Sequence, residues 1–420
     1  MIKKLKISPK ALLVLILFIT FLTRIYRIST PKTYYFDEVY HAFTAKAYAD
    51  NDPRGYEWWN TSEEEGTAYE WLHPPISKLI MATSINIFGK NSFAWRLPSA
   101  IFGTIVVYLI YLLAQELFKK PKLSLIASLL ACLDGLLLVQ SRIAMNDIFV
   151  IAFMLASLLY YLKWKNSNKN TNLILSSLFV GLSMSTKWSG IFILAIIGFS
   201  EGIILARRKF KKWSERVPKL FLAYVLAPIV IYLLSFTQFF LQGHTIKEYI
   251  ELHNQIILYE FNLDATHPYQ SKAWEWPLLL KGVWYHVDYS IPQKIGNIYA
   301  LSNPVVSWFG LVAIALQFVQ ILKQRKKKPE ALIALFGYFI VWAPWVFSPR
   351  IMFYYHYAPA IPFLVILIAK YLTDKNTPSN LRKTILGLSL ISFILLFPLW
   401  TGIPMNPKYK DIVFLLSSWK

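Results

Sequence analysis

The chain has 420 residues, of which 56% are hydrophobic and 16% charged, against about 25% charged in a soluble domain. That balance argues against a soluble enzyme and excludes disorder, because so apolar a chain with 16% aromatic residues does not stay unfolded in water. The net charge is +21, and the single cysteine, Cys132, excludes internal disulfides and any multi-cysteine metal knuckle.

Apolar runs of about 18–25 residues bounded by charges are membrane-span candidates. The chain offers them at 11–28, 97–118, 123–139, 147–162, 172–186, 190–206, 220–241, 304–322, 331–347, 351–372 and 384–403. The first runs on to Arg24 and Arg27 without a small-residue cleavage site, so it is expected to be a span rather than a cleaved leader. The expected class is therefore an all-α polytopic membrane protein with about eleven transmembrane helices. With the N-terminus in the cytoplasm, the inner segments are 1–10, 119–122, 163–171, 207–219, 323–330 and 370–383. Set against the acids beside them, these segments hold the whole +21 excess, and the rest of the chain is balanced. Positive charge confined to one face is a topology signal. It removes the need for nucleic acid as a partner.

Two long segments, 29–96 and 242–303, then lie outside the cytoplasm. The expected organisation is an N-terminal transmembrane catalytic module over 1–241, a second outer loop over 242–303, and a four-helix-type transmembrane region over 304–420. Ile246, Tyr249, Ile250, His253, Ile256 and Ile257 follow helical spacing, which predicts an amphipathic helix at the membrane surface. Trp58, Trp59, Trp71, Trp274, Trp276 and Trp284 suit an interfacial aromatic belt.

Ionisable residues near span ends are costly and usually functional. Of Asp37, Glu38, His73, Lys78, Arg96, Arg142, Asp147, Lys187, Arg350 and His356, nearly all fall on the outer side on this topology, with Asp134 deeper. Carboxylates, guanidinium groups and a lysine gathered at one face suit an anionic substrate. For a hydrophobic protein, that points to a lipid-linked phosphate. The Asp37–Glu38 pair is the sharpest feature. Neighbours on a helix point about 100° apart, so one carboxylate can face a reacting centre while the other orients it. Two adjacent negative charges in an apolar setting also raise the pKa of one, which suits a general base. In His73-Pro74-Pro75-Ile76-Ser77-Lys78, two prolines fix a rigid entry that presents His73 and Lys78. No His-x-x-x-His spacing occurs, so a zinc site is unsupported and no metal is expected.

Together these motifs resemble the dolichyl-phosphate-mannose–protein mannosyltransferases, membrane enzymes of the C-type glycosyltransferase fold. The matching pieces are Phe36-Asp37-Glu38, His73 to Lys78, Arg96-Leu97-Pro98-Ser99-Ala100, Ser141-Arg142 with Asp147, and Ser185-Thr186-Lys187-Trp188-Ser189-Gly190. His267-Pro268-Tyr269-Gln270-Ser271, Trp274, Trp276-Pro277, Asn303-Pro304 and Ser348 to Tyr357 follow, in order, across roughly 30–370. Ser77 and Ser302 stand where the family more often has Gly. The second outer loop has no room for the β-trefoil MIR domain of eukaryotic members, which points to a bacterial or archaeal type or to a divergent relative with another sugar or acceptor.

The resemblance implies an inverting transfer that needs no metal or cofactor. The donor would be a polyprenyl-phosphate sugar, with mannose expected. The acceptor would be a Ser or Thr hydroxyl of a protein outside the cytoplasm. Asp37 would be the base and Glu38 its support. Arg96, Arg142, Lys187 and Arg350 would be candidates for the phosphate, with His73, Lys78, Asp147 and His356 among the substrate-binding residues. The protein would sit in the cell membrane as a multi-pass chain with an extracytoplasmic active site, and the family leaves a homo- or heterodimer open. A same-fold transferase with another sugar or a glycolipid acceptor, as in the aminoarabinose transferases, is the alternative. A lipid transporter is a more distant one, because polar groups here gather at one face and no repeat is visible.

Overall fold

The structure is a computed structural model that describes residues 8–207, 213–323 and 329–420. Parts of the expected basic segments 1–10, 207–219 and 323–330 lie outside the described residues. The chain starts with α1 (Pro9–Ile25), where the Ser8 hydroxyl caps the Ala11 amide at 3.1 Å. The first long loop holds α2 (Glu38–Ala49) and α3 (Ile76–Phe88). Then come α4 (Ser92–Phe118), α5 (Pro121–Cys132), α6 (Gly135–Gln140), α7 (Asp147–Ser167), α8 (Asn170–Met184) and α9 (Phe192–Arg207). Spans Ser214–Ser235, Pro304–Lys323, Pro329–Phe347, Tyr354–Leu372 and Ser379–Thr401 complete the bundle.

Among the described residues, 8 helices are long and apolar enough to cross a membrane. The other expected spans differ for identifiable reasons. α1 has 17 residues and α8 has 15, which at about 1.5 Å per residue is short of a ~30 Å hydrocarbon core. The expected stretch 123–139 is broken at Asp134. Its carboxylate accepts from the Leu137 amide at 2.9 Å as the N-cap of α6, and from the Asn303 amide at 3.2 Å. A buried aspartate in an apolar run therefore starts a new helix and ties the second long loop to the bundle.

α7 is apolar all round, and 89% of its apolar window is buried, so it forms the axis of the bundle. The span Ser214–Ser235 is 17% buried and lies at the periphery. α4 packs on α7 and passes the α6–α7 turn so closely that a Cβ on Gly103 would lie 2.0 Å from the Ser141 hydroxyl. Gly103→Ala is expected to displace that turn, which carries Arg142 and Asn146, and to lower the thermal midpoint of the detergent-solubilised protein by several degrees. An unchanged melting curve would contradict the close approach.

The second long loop contains the expected surface helix, Ile246–Asn262, opened by a Thr245–Glu248 capping box. Leu252 and Ile256 are buried against the protein, whereas Ile246, Ile250, Ile257 and Phe261 form an exposed apolar stripe along a different face. The loop also adds an antiparallel ribbon to the helical chain. β1 (Val283–Asp288) pairs with β2 (Gly296–Ala300) in the register Val283↔Ala300 to Asp288↔Gly296, with an irregularity between Trp284 and His286. Five to six residues of Val, Trp, Tyr and Ile are too short a run to stand out from apolar helix in the sequence.

Candidate active site

Phe36, Asp37 and Glu38 form the junction between the first loop and α2. Phe36 adopts a left-handed φ of 51°, an unusual conformation for a bulky residue. Stacking on Tyr285 of β1, at 3.9 Å between ring centroids, holds it there. Glu38 turns inward and is fully buried. Its carboxylate accepts from Arg96 Nε and Nη2, both at 2.7 Å, from the Ala144 amide at 3.0 Å, and from the Tyr35 amide at 3.3 Å. Asp37 turns the other way. It occupies the N-cap position of α2, yet its carboxylate caps no amide. It faces a cavity of about 630 Å³, and the Tyr355 hydroxyl lies 3.5 Å from Oδ2. Burial, reinforced by the charge of Asp147 and opposed by Lys187, pushes its carboxyl up to about 7. A carboxylate that forgoes a helix cap to face a cavity, half-protonated near neutrality, is placed to move a proton.

The same cavity is lined by His73, Asp147, Lys187, Arg350, Tyr355 and His356. Lys187 donates to Asp147 Oδ1 at 3.0 Å, and its Nζ lies 5.7 Å from the centre of the Tyr355 ring. Arg350 pairs with Glu260, near the end of the surface helix, and its buried Nε has no partner among the described residues. Residues 259–261 line the cavity as well, so the surface helix forms one of its walls. Below them Glu70, buried, binds the fully buried Lys78 and accepts from His73 Nδ1 at 2.7 Å. Burial alone would raise the Glu70 carboxyl, but Lys78 and His73 outweigh it and hold it well below the usual carboxylate range. His41 sits 3.6 Å from Glu70, and burial pushes its imidazole down to about 3, so it is neutral.

Residues 14–244 match the family described as dolichyl-phosphate-mannose-protein mannosyltransferase, and residues 245–419 match the C-terminal four-transmembrane region of protein O-mannosyltransferases. The chain belongs to the dolichyl-phosphate-mannose–protein mannosyltransferase family. It is 24% identical over 479 residues to a polyprenol-phosphate-mannose–protein mannosyltransferase of Mycolicibacterium smegmatis, covering 95% of this chain and 90% of that one. It is 23% identical over 427 residues to the Corynebacterium glutamicum enzyme of that name, covering 83% and 81%. Its fold is similar to that of the Saccharomyces cerevisiae Pmt1-Pmt2 complex bound to the sugar donor, with a TM-score of 0.84 at 14% identity over 100% of this chain and 93% of that chain. It is also similar to ArnT from Cupriavidus metallidurans bound to undecaprenyl phosphate, with a TM-score of 0.61 at 17% identity over 90% and 62%. The chain is thus a multi-pass membrane glycosyltransferase of the C-type fold.

Within this mannosyltransferase the ten expected site residues divide into two groups. Asp37, His73, Asp147, Lys187, Arg350 and His356 come together around the cavity. Glu38, Lys78, Arg96 and Arg142 do not line it. Arg96 is fully buried and spends its fork on Glu38 and on the carbonyls of Ile28, Pro31 and Thr33. Arg142 Nη1 donates to the carbonyls of Thr23, Arg24 and Tyr26 at 2.6–3.1 Å, tying the end of α1 to the α6–α7 turn. Lys78 is consumed by Glu70 and by the carbonyls of Glu70 and His73. These three cations hold backbone and carboxylates in place, which corrects the expectation that Arg96 and Arg142 could face a phosphate and that Lys78 touches substrate. Asp134 is likewise occupied as a cap. Three residues with prominent places at the cavity were missed: Glu70, Tyr355 and Glu260. Tyr355 lay within the Ser348 to Tyr357 motif without being singled out, and Glu70 is three residues from His73.

Proposed function

We propose that the chain transfers mannose from a polyprenyl-phosphate carrier to Ser or Thr hydroxyls of extracytoplasmic proteins, with inversion and without a metal. The observation that carries this reading is that Asp37, with its raised pKa, and the cations Lys187 and Arg350 share one cavity in a chain of this family. Asp37 takes the proton of the acceptor hydroxyl as its oxygen bonds to the anomeric carbon. The bond from that carbon to the phosphate oxygen breaks on the opposite face, and polyprenyl phosphate leaves with the electron pair. Lys187 and Arg350 stabilise the charge that accumulates there, so the leaving group needs no proton. Glu38, locked to Arg96, keeps α2 in the orientation that faces Asp37 to the cavity. The confinement of the +21 charge excess to one set of loops supports a cytoplasmic N-terminus and an extracytoplasmic cavity. Pairing with a second mannosyltransferase chain is the assembly we propose, since the similar yeast structure is a Pmt1-Pmt2 complex.

The test is an assay of purified protein with labelled polyprenyl-phosphate mannose and a Ser/Thr-rich peptide. Label is expected on the peptide hydroxyls. Arg350→Ala is expected to raise the KM for the lipid donor by about tenfold or more, with a smaller effect on the KM for peptide. Label that reaches only added glycolipid would replace the protein acceptor by the alternative one, and unchanged donor kinetics in the Arg350 variant would remove its phosphate role.

A further inference from the structure

Two cavity histidines share a feature that the phosphate chemistry does not use. His73 Nδ1 is bound to Glu70 Oε1 at 2.7 Å, and His356 Nδ1 lies 3.1 Å from the Phe353 carbonyl oxygen. A carbonyl oxygen only accepts, so His356 carries its proton on Nδ1. Glu70 is bound to the buried Lys78 and is an anion, so it too accepts from Nδ1–H. With Nδ1–H spent in this way, Nε2 is in each ring the nitrogen left to meet a ligand, and it can accept through its lone pair. Both side chains line the cavity, and the hydrogen bonds described for the two rings are made by Nδ1. The rings are fixed as well as their tautomers. His356 stacks on Tyr355 at 4.5 Å and on Trp276 at 6.1 Å between centroids. His73 meets the ring of His41 edge-on at 5.9 Å.

A lone pair in a cavity seeks a donor. Phosphate oxygens at neutral pH are acceptors, so they do not satisfy an accepting Nε2. The acceptor residue brings a single hydroxyl, and Asp37 takes its proton. The remaining hydroxyl donors are those of the hexose. We propose that His73 and His356 read two different hydroxyls of the transferred sugar through Nε2 and so determine which sugar is used, with Glu70 as the positioning residue that sets the His73 tautomer. This assignment deepens the mannosyl-transfer reading and rests on it.

The test compares polyprenyl-phosphate mannose with the corresponding 2-, 3-, 4- and 6-deoxy donors, using purified protein and a Ser/Thr-rich peptide. The wild-type protein is expected to use two of the deoxy donors about tenfold less well than mannose, since each lacks a hydroxyl that is read. In His73→Ala one of those penalties vanishes, and in His356→Ala the other does. His73→Gln keeps part of its penalty, because an amide oxygen can still accept. Glu70→Gln shrinks the same penalty as His73→Ala and leaves that of His356 intact. Each penalty is a ratio of two donors in one preparation, so a loss of folded protein does not alter it. Penalties that persist in both alanine variants, even with lowered rates, would overturn the assignment and leave the histidines as structural. Wild-type protein that transfers no mannose at all would instead overturn the reading of function, and this proposal with it.

Discussion

Asp37→Asn is expected to reduce transfer by about 10²–10⁴-fold while leaving the fold intact and more stable above neutral pH. The side chain caps no amide of α2, so an isosteric amide removes no helix contact. What it removes is the base. Because burial pushes the wild-type carboxyl up to about 7, kcat/KM should rise with pH up to that value and level off above it. The sign for stability is opposite. A carboxyl whose pKa is higher in the folded state binds its proton more tightly there. Wild-type stability therefore falls as pH rises from the unfolded pKa near 4 to the folded value near 7, and stays at that lower level beyond. Asn carries no such cost, so the difference in thermal midpoint between variant and wild type should be small at pH 4 and largest above pH 7. The measurements are a pH–rate profile of the wild type and paired melting curves in detergent. A variant that retains full turnover would remove Asp37 from the base role. One that loses activity together with stability at every pH would make it structural.

The sequence located the chemistry better than it sorted it. Eight of the eleven apolar stretches correspond to helices that are long enough to span, because period and length are local properties. Asp134 escaped this reading because an aspartate in an apolar run looks the same whether it is a membrane-buried functional group or the cap of a new helix. Its partner, Asn303, comes from 169 residues away. The cations show the same limit. Arg96 and Arg350 have identical side chains beside apolar segments, and nothing local tells which guanidinium is spent on carbonyls and which faces a cavity. The Glu38–Arg96 pair spans 58 positions and the Tyr355–Asp37 contact spans 318, so both are products of the tertiary fold. Helix geometry made it legible that adjacent Asp37 and Glu38 would diverge, but not which of the two would face the cavity.

Arg96→Ala separates the two roles that the sequence left open for this arginine. If Arg96 held the donor phosphate, its removal would raise the donor KM and leave the melting curve where it was. The geometry leads to the reverse expectation. Both partners are fully buried, and Arg96 Nε and Nη2 each meet a Glu38 oxygen at 2.7 Å. Truncating one partner leaves the other as an uncompensated buried charge and orphans three backbone carbonyls, a loss of about 3–5 kcal/mol. That is a large fraction of the stability of an ordinary domain. The expected result is a thermal midpoint lower by many degrees and poor yield of folded protein, with the donor KM of the surviving fraction close to wild type. The loss should also spread to the rate. Glu38 anchors the start of α2, and once its clamp is gone the direction in which Asp37 points is held only by the weaker contacts of Glu38 with two amides and of Phe36 with Tyr285. Arg96→Lys should recover only part of both, because an ammonium cannot span two carboxylate oxygens and three carbonyls as a planar fork does. An Arg96→Ala protein that melts like wild type but binds donor weakly would return Arg96 to the phosphate and break the separation between clamp and cavity.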